Sequence, residues 1–193
     1  MPSISAAVEG LVDEAVVRRI AQFVGLDVNA IYGRRGKDQL TKDLGAYNTL
    51  ASEEHFLFLR DLDADAGCAA ALVADLLPQP AALMLFRVAV REVETWLLGD
   101  PGTLGRHLRV AVAHLPQPSE ALLRPKRRLV RACEHSSSKA VRVGMIPRHG
   151  SGRDEGDEYT SRMIDYVNYH WQIDKAILTC ESLARCVRAL KRL

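Results

Sequence analysis

A chain of 193 residues, 48% hydrophobic and 26% charged, can bury a real core and falls in the range of one domain, or one domain with an elaborate insertion. Its net charge of +2 gives no bulk electrostatic pull towards a polyanion, and no apolar run is long enough to span a membrane. No signal peptide is expected. The four cysteines, Cys68, Cys133, Cys180 and Cys186, form no CxxC pair and show no zinc spacing, so they read as reduced thiols of a cytoplasmic protein.

Residues 4–8 form a short apolar run, a buried strand, followed by Glu9-Gly10. Val16, Val17, Ile20, Phe23 and Val24 then recur with the helical period. Asp13 and Glu14 open that helix, where negative charge suits the dipole, and Gly25 ends it. A second strand is expected over 28–32, a loop over 33–37 and a helix over 38–44. The third strand, 56–60, runs into Asp61-Leu62-Asp63. A helix over 69–77 stops at Pro78 and Pro80, a fourth strand covers 83–90, and a helix over 91–98 closes at Gly99-Asp100-Pro101. This order predicts an α/β fold, a mostly parallel sheet flanked by helices, over residues 1–100. Residues 101–193 read as a mainly helical elaboration packed on that core. Helices are expected near 103–114, 125–134, 157–170 and 174–192, with a Gly-rich loop over 144–156.

The carboxylates carry the chemistry. One residue separates Asp61 from Asp63, which on a strand puts both on one side, and such a pair can share a divalent cation. The C-terminal ends of parallel strands share one edge, where sites form. Glu9 ends the first strand, Asp13 follows four residues later, and Glu92, Glu94 and Asp100 follow the fourth strand. Any one of these acids alone reads as solvated surface charge; the set on one edge reads as a site.

Neighbouring motifs narrow the choice. An EF-hand loop needs Gly and Glu where Ala66 and Leu72 stand. Arg60, and Asp65 after Ala64, weaken a haloacid-dehalogenase-type reading. The glycines of Gly33-Arg34-Arg35-Gly36-Lys37-Asp38 are too close for a nucleotide P-loop. Lys37 remains a candidate phosphate contact. Seven Lys/Arg between Arg124 and Arg142 face one acid, Glu134, and of these Lys126, Arg127, Arg128 and Arg131 suit a phosphate backbone. Asp154, Glu155 and Asp157 argue against polyanion binding by the Gly-rich loop. Trp96 and Trp171 read as core residues, and the histidines show no metal-ligand spacing.

Val8-Glu9-Gly10-x-x-Asp13-Glu14 with Leu59-Arg60-Asp61-Leu62-Asp63 resembles a TOPRIM domain, the metal-binding fold of topoisomerases, primases and OLD-family nucleases. The Glu9/Asp13 spacing and the acids after the fourth strand resemble the OLD-like branch. Gly36-Lys37-x-x-Leu40, Tyr47-Asn48, Glu92-x-Glu94-x-Trp96-Leu97-Leu98-x-Asp100, Pro125-Lys126 and Ser182-Leu183-x-Arg185-Cys186 resemble a small stand-alone relative. The resemblance implies a TOPRIM/Rossmann-like core and Mg2+- or Mn2+-dependent phosphodiester hydrolysis of DNA or RNA, in the setting of bacterial defence. Glu9, Asp61 and Asp63 would be catalytic and hold the first cation. Asp13 would help bind a second, completed by Glu92 or Glu94, which alternatively orient water. The chain lacks the ATPase of full-length OLD proteins, so a separate ATPase partner is expected. The competing readings are a non-catalytic binding module for nucleic acid or protein, and a small-molecule phosphohydrolase.

Overall fold

Each apolar run becomes a strand of one sheet. In the computed structural model, which describes residues 2–193, these are β1 (Ser3–Val8), β2 (Asp27–Gly33), β3 (Phe56–Asp61) and β4 (Met84–Ala89). The order is β2-β1-β3-β4 and every neighbouring pair is parallel. The central β1 and β3 are buried along most of their length, as expected of strands covered on both faces. Parallel neighbours need crossovers. These are α1 (Leu11–Val24) after β1, α2 (Lys37–Lys42) and α3 (Leu44–Leu50) after β2, and α4 (Ala69–Leu76) after β3.

On one face, Ala7, Phe56, Phe58, Phe86 and Val88 pack with Leu40, Leu44, Tyr47 and Leu72 of the helices. Phe58 meets Phe86 edge-on with ring centroids 4.7 Å apart, and Tyr47 stacks on Phe56 at 5.4 Å. Each such ring contributes about 1.5–3 kcal/mol through burial alone. Strand alternation sends Ala6, Val8, Leu57 and Leu59 to the opposite face. There α1 buries Val12, Val16, Val17 and Ile20 against β1 and β2. It starts at Gly10 and ends at Gly25, whose left-handed φ of 80° lets its N–H turn back onto the carbonyls of Ala21 and Gln22. The last helix, α11 (Glu181–Leu190), joins this side. Cys186 lies in the field of Arg87 of β4, and the Lys191 ammonium sits 5.4 Å from the Phe23 ring centroid.

The chain forms two compact units, the residues up to Val90 with Ser182–Leu193, and Arg91–Glu181. The division thus falls where β4 ends, ahead of the boundary expected at residue 100, and the final helix belongs with the sheet. The second unit is helical: α5 (Glu94–Leu98), α6 (Pro101–Leu108), α7 (Pro125–Ala132), α8 (Lys139–Met145), α9 (Tyr159–Tyr169) and α10 (Ile173–Ala176). Trp96, Leu104, Leu129, Met163 and Trp171 are buried in it. Asp100 caps α6, accepting from Thr103 N–H, and also accepts from Gln172 N–H at 3.1 Å. The segment expected as a Gly-rich loop begins inside α8. A Cβ on Gly156 would meet Gly144 O at 2.3 Å, and Gly156 N–H donates to Met145 O at 2.9 Å, so these glycines permit close backbone approach. Among the described residues no helix is long and apolar enough to cross a membrane.

Candidate metal centre at the carboxyl edge of the sheet

β1 and β3 are adjacent and parallel, with Ser5 beside Phe56 and Ala7 beside Phe58, so both strands end on the same edge. Glu9 lies just beyond β1. Its Oε1 accepts the Asp61 N–H at 3.0 Å, reaching across the end of β3. Burial raises the Glu9 pKa above the ordinary carboxylate value. The Asp61 N–H opposes that rise, the Asp63 charge adds to it, and Arg60 and Lys37 pull it back. Asp13, in the first turn of α1, is 7% exposed. Its Oδ2 lies 3.2 Å from where a Cβ on Gly10 would sit, so this side chain folds over the start of its own helix.

The Asp61/Asp63 pair is not a strand pair. β3 stops at Asp61, Leu62 is buried with its N–H on Ala89 O at 2.9 Å, and Asp63 adopts φ 49°. The two-residue alternation that would align the carboxylates therefore does not extend to Asp63. Aspartate tolerates the left-handed region better than most residues, and such backbone outliers gather at functional sites. In this conformation Asp63 Oδ2 lies 2.8 Å from the Lys37 ammonium. Lys37 also reaches Asp65 at 3.1 Å, and Arg60, buried within β3, holds Asp65 at 2.7 Å. Arg60 further donates to Thr41 Oγ1 and to Asp61 O. It lies within β3, in keeping with the strand expected over 56–60. Desolvation opposes the lowering of the Asp65 pKa, but the Arg60 and Lys37 contacts outweigh it.

The loop before Lys37 is stitched to the same edge. Arg34 N–H donates to Val8 O at 2.8 Å and Gly36 N–H to Glu9 O at 3.0 Å. A P-loop cradles phosphate with free N–H groups; these two are taken up by β1. Gly33 makes the approach possible, because at φ 87° a Cβ there would lie 2.2 Å from Val8 O.

In the second unit Glu94 is 2% exposed. Its Oε1 accepts from the Tyr159 hydroxyl at 2.5 Å and lies 3.5 Å from the Lys126 ammonium. That ammonium sits 5.4 Å from the Tyr159 ring centroid, while Lys126 N–H donates to Glu92 Oε2 at 2.6 Å. Burial and the Glu94 charge push the Tyr159 hydroxyl well above its ordinary pKa. Glu92, Glu94, Lys126 and Tyr159 thus form a local structural network. Arg127, Arg128 and Arg131 are exposed on α7, opposite the buried Leu129 and Val130.

No protein-family model, curated protein or solved structure matches the chain. The site is therefore judged on its own residues. Glu9, Asp61, Asp63 and Asp13 offer only oxygen ligands, the donor set of Mg2+ and Mn2+. Burial and Asp63 both disfavour charge on Glu9, a penalty that a bound cation relieves. The donors therefore suit a hard cation, which would compete with Lys37 for Asp63. Ligand atoms mutually within 4.8 Å mark a different trio among the described residues, His107, Asp165 and His170. Sequence reasoning left out Asp65, although it continues the Asp61-x-Asp63 string, and Arg60. Nothing in the local pattern signals Tyr159, which meets Glu94 from 65 positions away.

Proposed function

We propose that the chain is a Mg2+- or Mn2+-dependent phosphodiesterase acting on nucleic acid, with Glu9, Asp61 and Asp63 as the cation-holding carboxylates. The observation that carries this reading is the bond from Asp61 N–H to Glu9 Oε1, which holds the Glu9 carboxylate against the end of β3 where Asp61 stands. The TOPRIM-like motif string supports it independently. When bound, the cation supplies charge neutralisation at the phosphoryl oxygens and a more acidic water. Glu9, whose burial favours its protonated form, is suited to take up or return a proton beside the scissile phosphate. Lys37, paired with Asp63 and Asp65, would be available to a phosphate oxygen were Asp63 to hold the cation. Arg127, Arg128 and Arg131, exposed on α7, give the second unit a charged face of its own for backbone phosphates. The free thiols suit a reducing, cytoplasmic setting.

A second reading, a binding module that does not cleave, is favoured by one observation. Lys37 and Arg60 already pair Asp63 and Asp65 through their own charges. The deciding experiment is Asp61→Asn, assayed for cleavage of single- and double-stranded DNA and RNA with Mg2+ and Mn2+, beside melting in a metal titration. Cleavage by wild type that is lost in a folded Asp61→Asn supports the enzyme. Metal-dependent stabilisation of wild type without cleavage supports the binding module. No response of wild type to millimolar Mg2+ or Mn2+ overturns the enzyme reading.

A further inference from the structure

We propose that His107, Asp165 and His170 form a binding site for a zinc-type divalent transition metal within the second unit, independent of the carboxylate edge. His107 lies on α6, Asp165 on α9, and His170 directly follows α9. Each offers one ligand atom, and the three lie within 4.8 Å of one another. Sequence spacing conceals the group. Asp165 and His170 are five positions apart rather than three or four, and the remaining ligand comes from more than fifty residues upstream.

The hydrogen bonding around His107 prepares it as a ligand. Its Nε2 lies 3.0 Å from Arg162 O. A carbonyl only accepts, so Nε2 carries the proton and the lone pair of the neutral ring resides on Nδ1. A backbone carbonyl on the far nitrogen is the usual orienting partner of a metal-bound imidazole. Nδ1 faces Asp165 Oδ2 at 4.0 Å, too far for a hydrogen bond. Ligand bonds of about 2.0–2.2 Å to tetrahedral zinc place neighbouring donor atoms about 3.4 Å apart. Closing this pair takes about 0.6 Å and the others, at most 4.8 Å apart, up to about 1.4 Å, within the rotamer freedom of exposed side chains. Asp165 and His170 are both exposed, while His107 is held in place. The His170 ring already lies near His107, with centroids 5.1 Å apart.

Two imidazoles and one carboxylate select zinc, cobalt or nickel over magnesium, and three protein ligands leave a coordination position open. His107 and His170 also line a cavity of about 870 Å3, together with Arg106, Arg109, Tyr169 and Gln172. That volume suits a small molecule. The two arginines favour an anionic one, with a carboxylate or phosphate group directed at the open metal position.

The test uses the full chain stripped of metal with EDTA and then dialysed. Calorimetric titration with Zn2+ should show one equivalent bound at micromolar affinity or tighter. Co2+ should give visible d–d absorption of a low-coordinate site, and excess Mg2+ should displace neither. Because Asp165 and His170 are exposed, Asp165→Ala and His170→Ala should melt like wild type in EDTA, yet each should weaken Zn2+ binding by at least about 10- to 100-fold. With excess Mg2+ present to occupy the carboxylate edge, wild type should still bind its equivalent of Zn2+. Absence of stoichiometric Zn2+ binding by wild type overturns the proposal. So does binding that both ligand variants retain, or that excess Mg2+ abolishes.

Discussion

Replacing Lys37 by methionine tests whether the carboxylate edge is a cation site, because the lysine ammonium already lies against Asp63. Methionine keeps the apolar stem and removes the charge. The Nζ lies 2.8 Å from Asp63 Oδ2 and both side chains are 31% exposed, so the dielectric of water sets a lower bound on the coupling. A Mg2+ bonded at about 2.1 Å on the far side of that oxygen would sit about 5 Å from Nζ. Charges of +1 and +2 at that separation repel by about 1.7 kcal/mol, roughly fifteenfold in affinity. Removing Lys37 also ends its direct competition for Asp63. Lys37→Met should therefore bind Mg2+ and Mn2+ at least about tenfold more tightly at low salt, with the gain shrinking as salt screens the charge. Loss of the half-exposed ion pairs should lower stability by no more than about 1 kcal/mol. The assay is calorimetric titration, with urea unfolding as the control. If Lys37 also contacts a substrate phosphate, cleavage falls while metal affinity rises, a combination that simple damage to the site does not produce. Metal affinity unchanged within twofold would refute the placement of a cation at Asp63.

Glu9→Gln keeps an oxygen to accept the Asp61 N–H and removes the buried charge. Burial raises the Glu9 pKa above the ordinary value of 4.5. The resulting loss of stability is absent below about 4.5, builds up as pH rises from there through the folded value, and is complete above it. Without metal the variant should be more stable than wild type at neutral pH, and the two should converge in acid; urea unfolding from pH 4 to 8 checks this, and a less stable variant at neutral pH contradicts it. Tyr159→Phe removes a charge-assisted donor from the buried Glu94 and should cost about 1.5–3 kcal/mol in chemical unfolding; an unchanged midpoint would remove Glu94 from the structural network. Gly33→Ala sets a Cβ 2.2 Å from Val8 O at φ 87° and should destabilise by at least about 1–3 kcal/mol. It should also weaken Mn2+ binding by displacing Glu9, and melting beside a Mn2+ titration reads both effects.

The strands were legible because both faces of the sheet are covered, so residues 4–8 and 56–60 read as mainly apolar runs. Their order puts the residues at the ends of β1 and β3, Glu9 and Asp61, on one edge. Three features were hidden for physical reasons. The left-handed turn at Asp63 follows from Leu62 burying itself against the end of β4, a long-range contact. The expected helix over 38–44 becomes two helices meeting at Asp43, because the second presents Tyr47 to Phe56 of β3. The expected helix over 103–114 ends at Leu108, where Arg109 turns left-handed and Val110 N–H returns to Gly105 O at 2.9 Å. Similarly, the stretch over 174–192 divides at Thr179 and Cys180, whose side chains bond Gly99 O and Thr95 O. Local pattern records periodicity; it does not record a partner eighty residues away.

The return of α11 to the sheet unit sets the order in which the protein can be finished during synthesis. Leu183, Cys186, Val187 and Leu190, all buried, are translated after the whole of Arg91–Glu181. Until then the sheet has emerged with one of its covering helices missing, and the apolar surface awaiting that helix is open to other chains. The second unit can therefore form while the first is still incomplete. A chain cut before Ser182 would keep all the residues of the helical unit up to Glu181 and lack α11, leaving the sheet as the part exposed to aggregation or proteolysis.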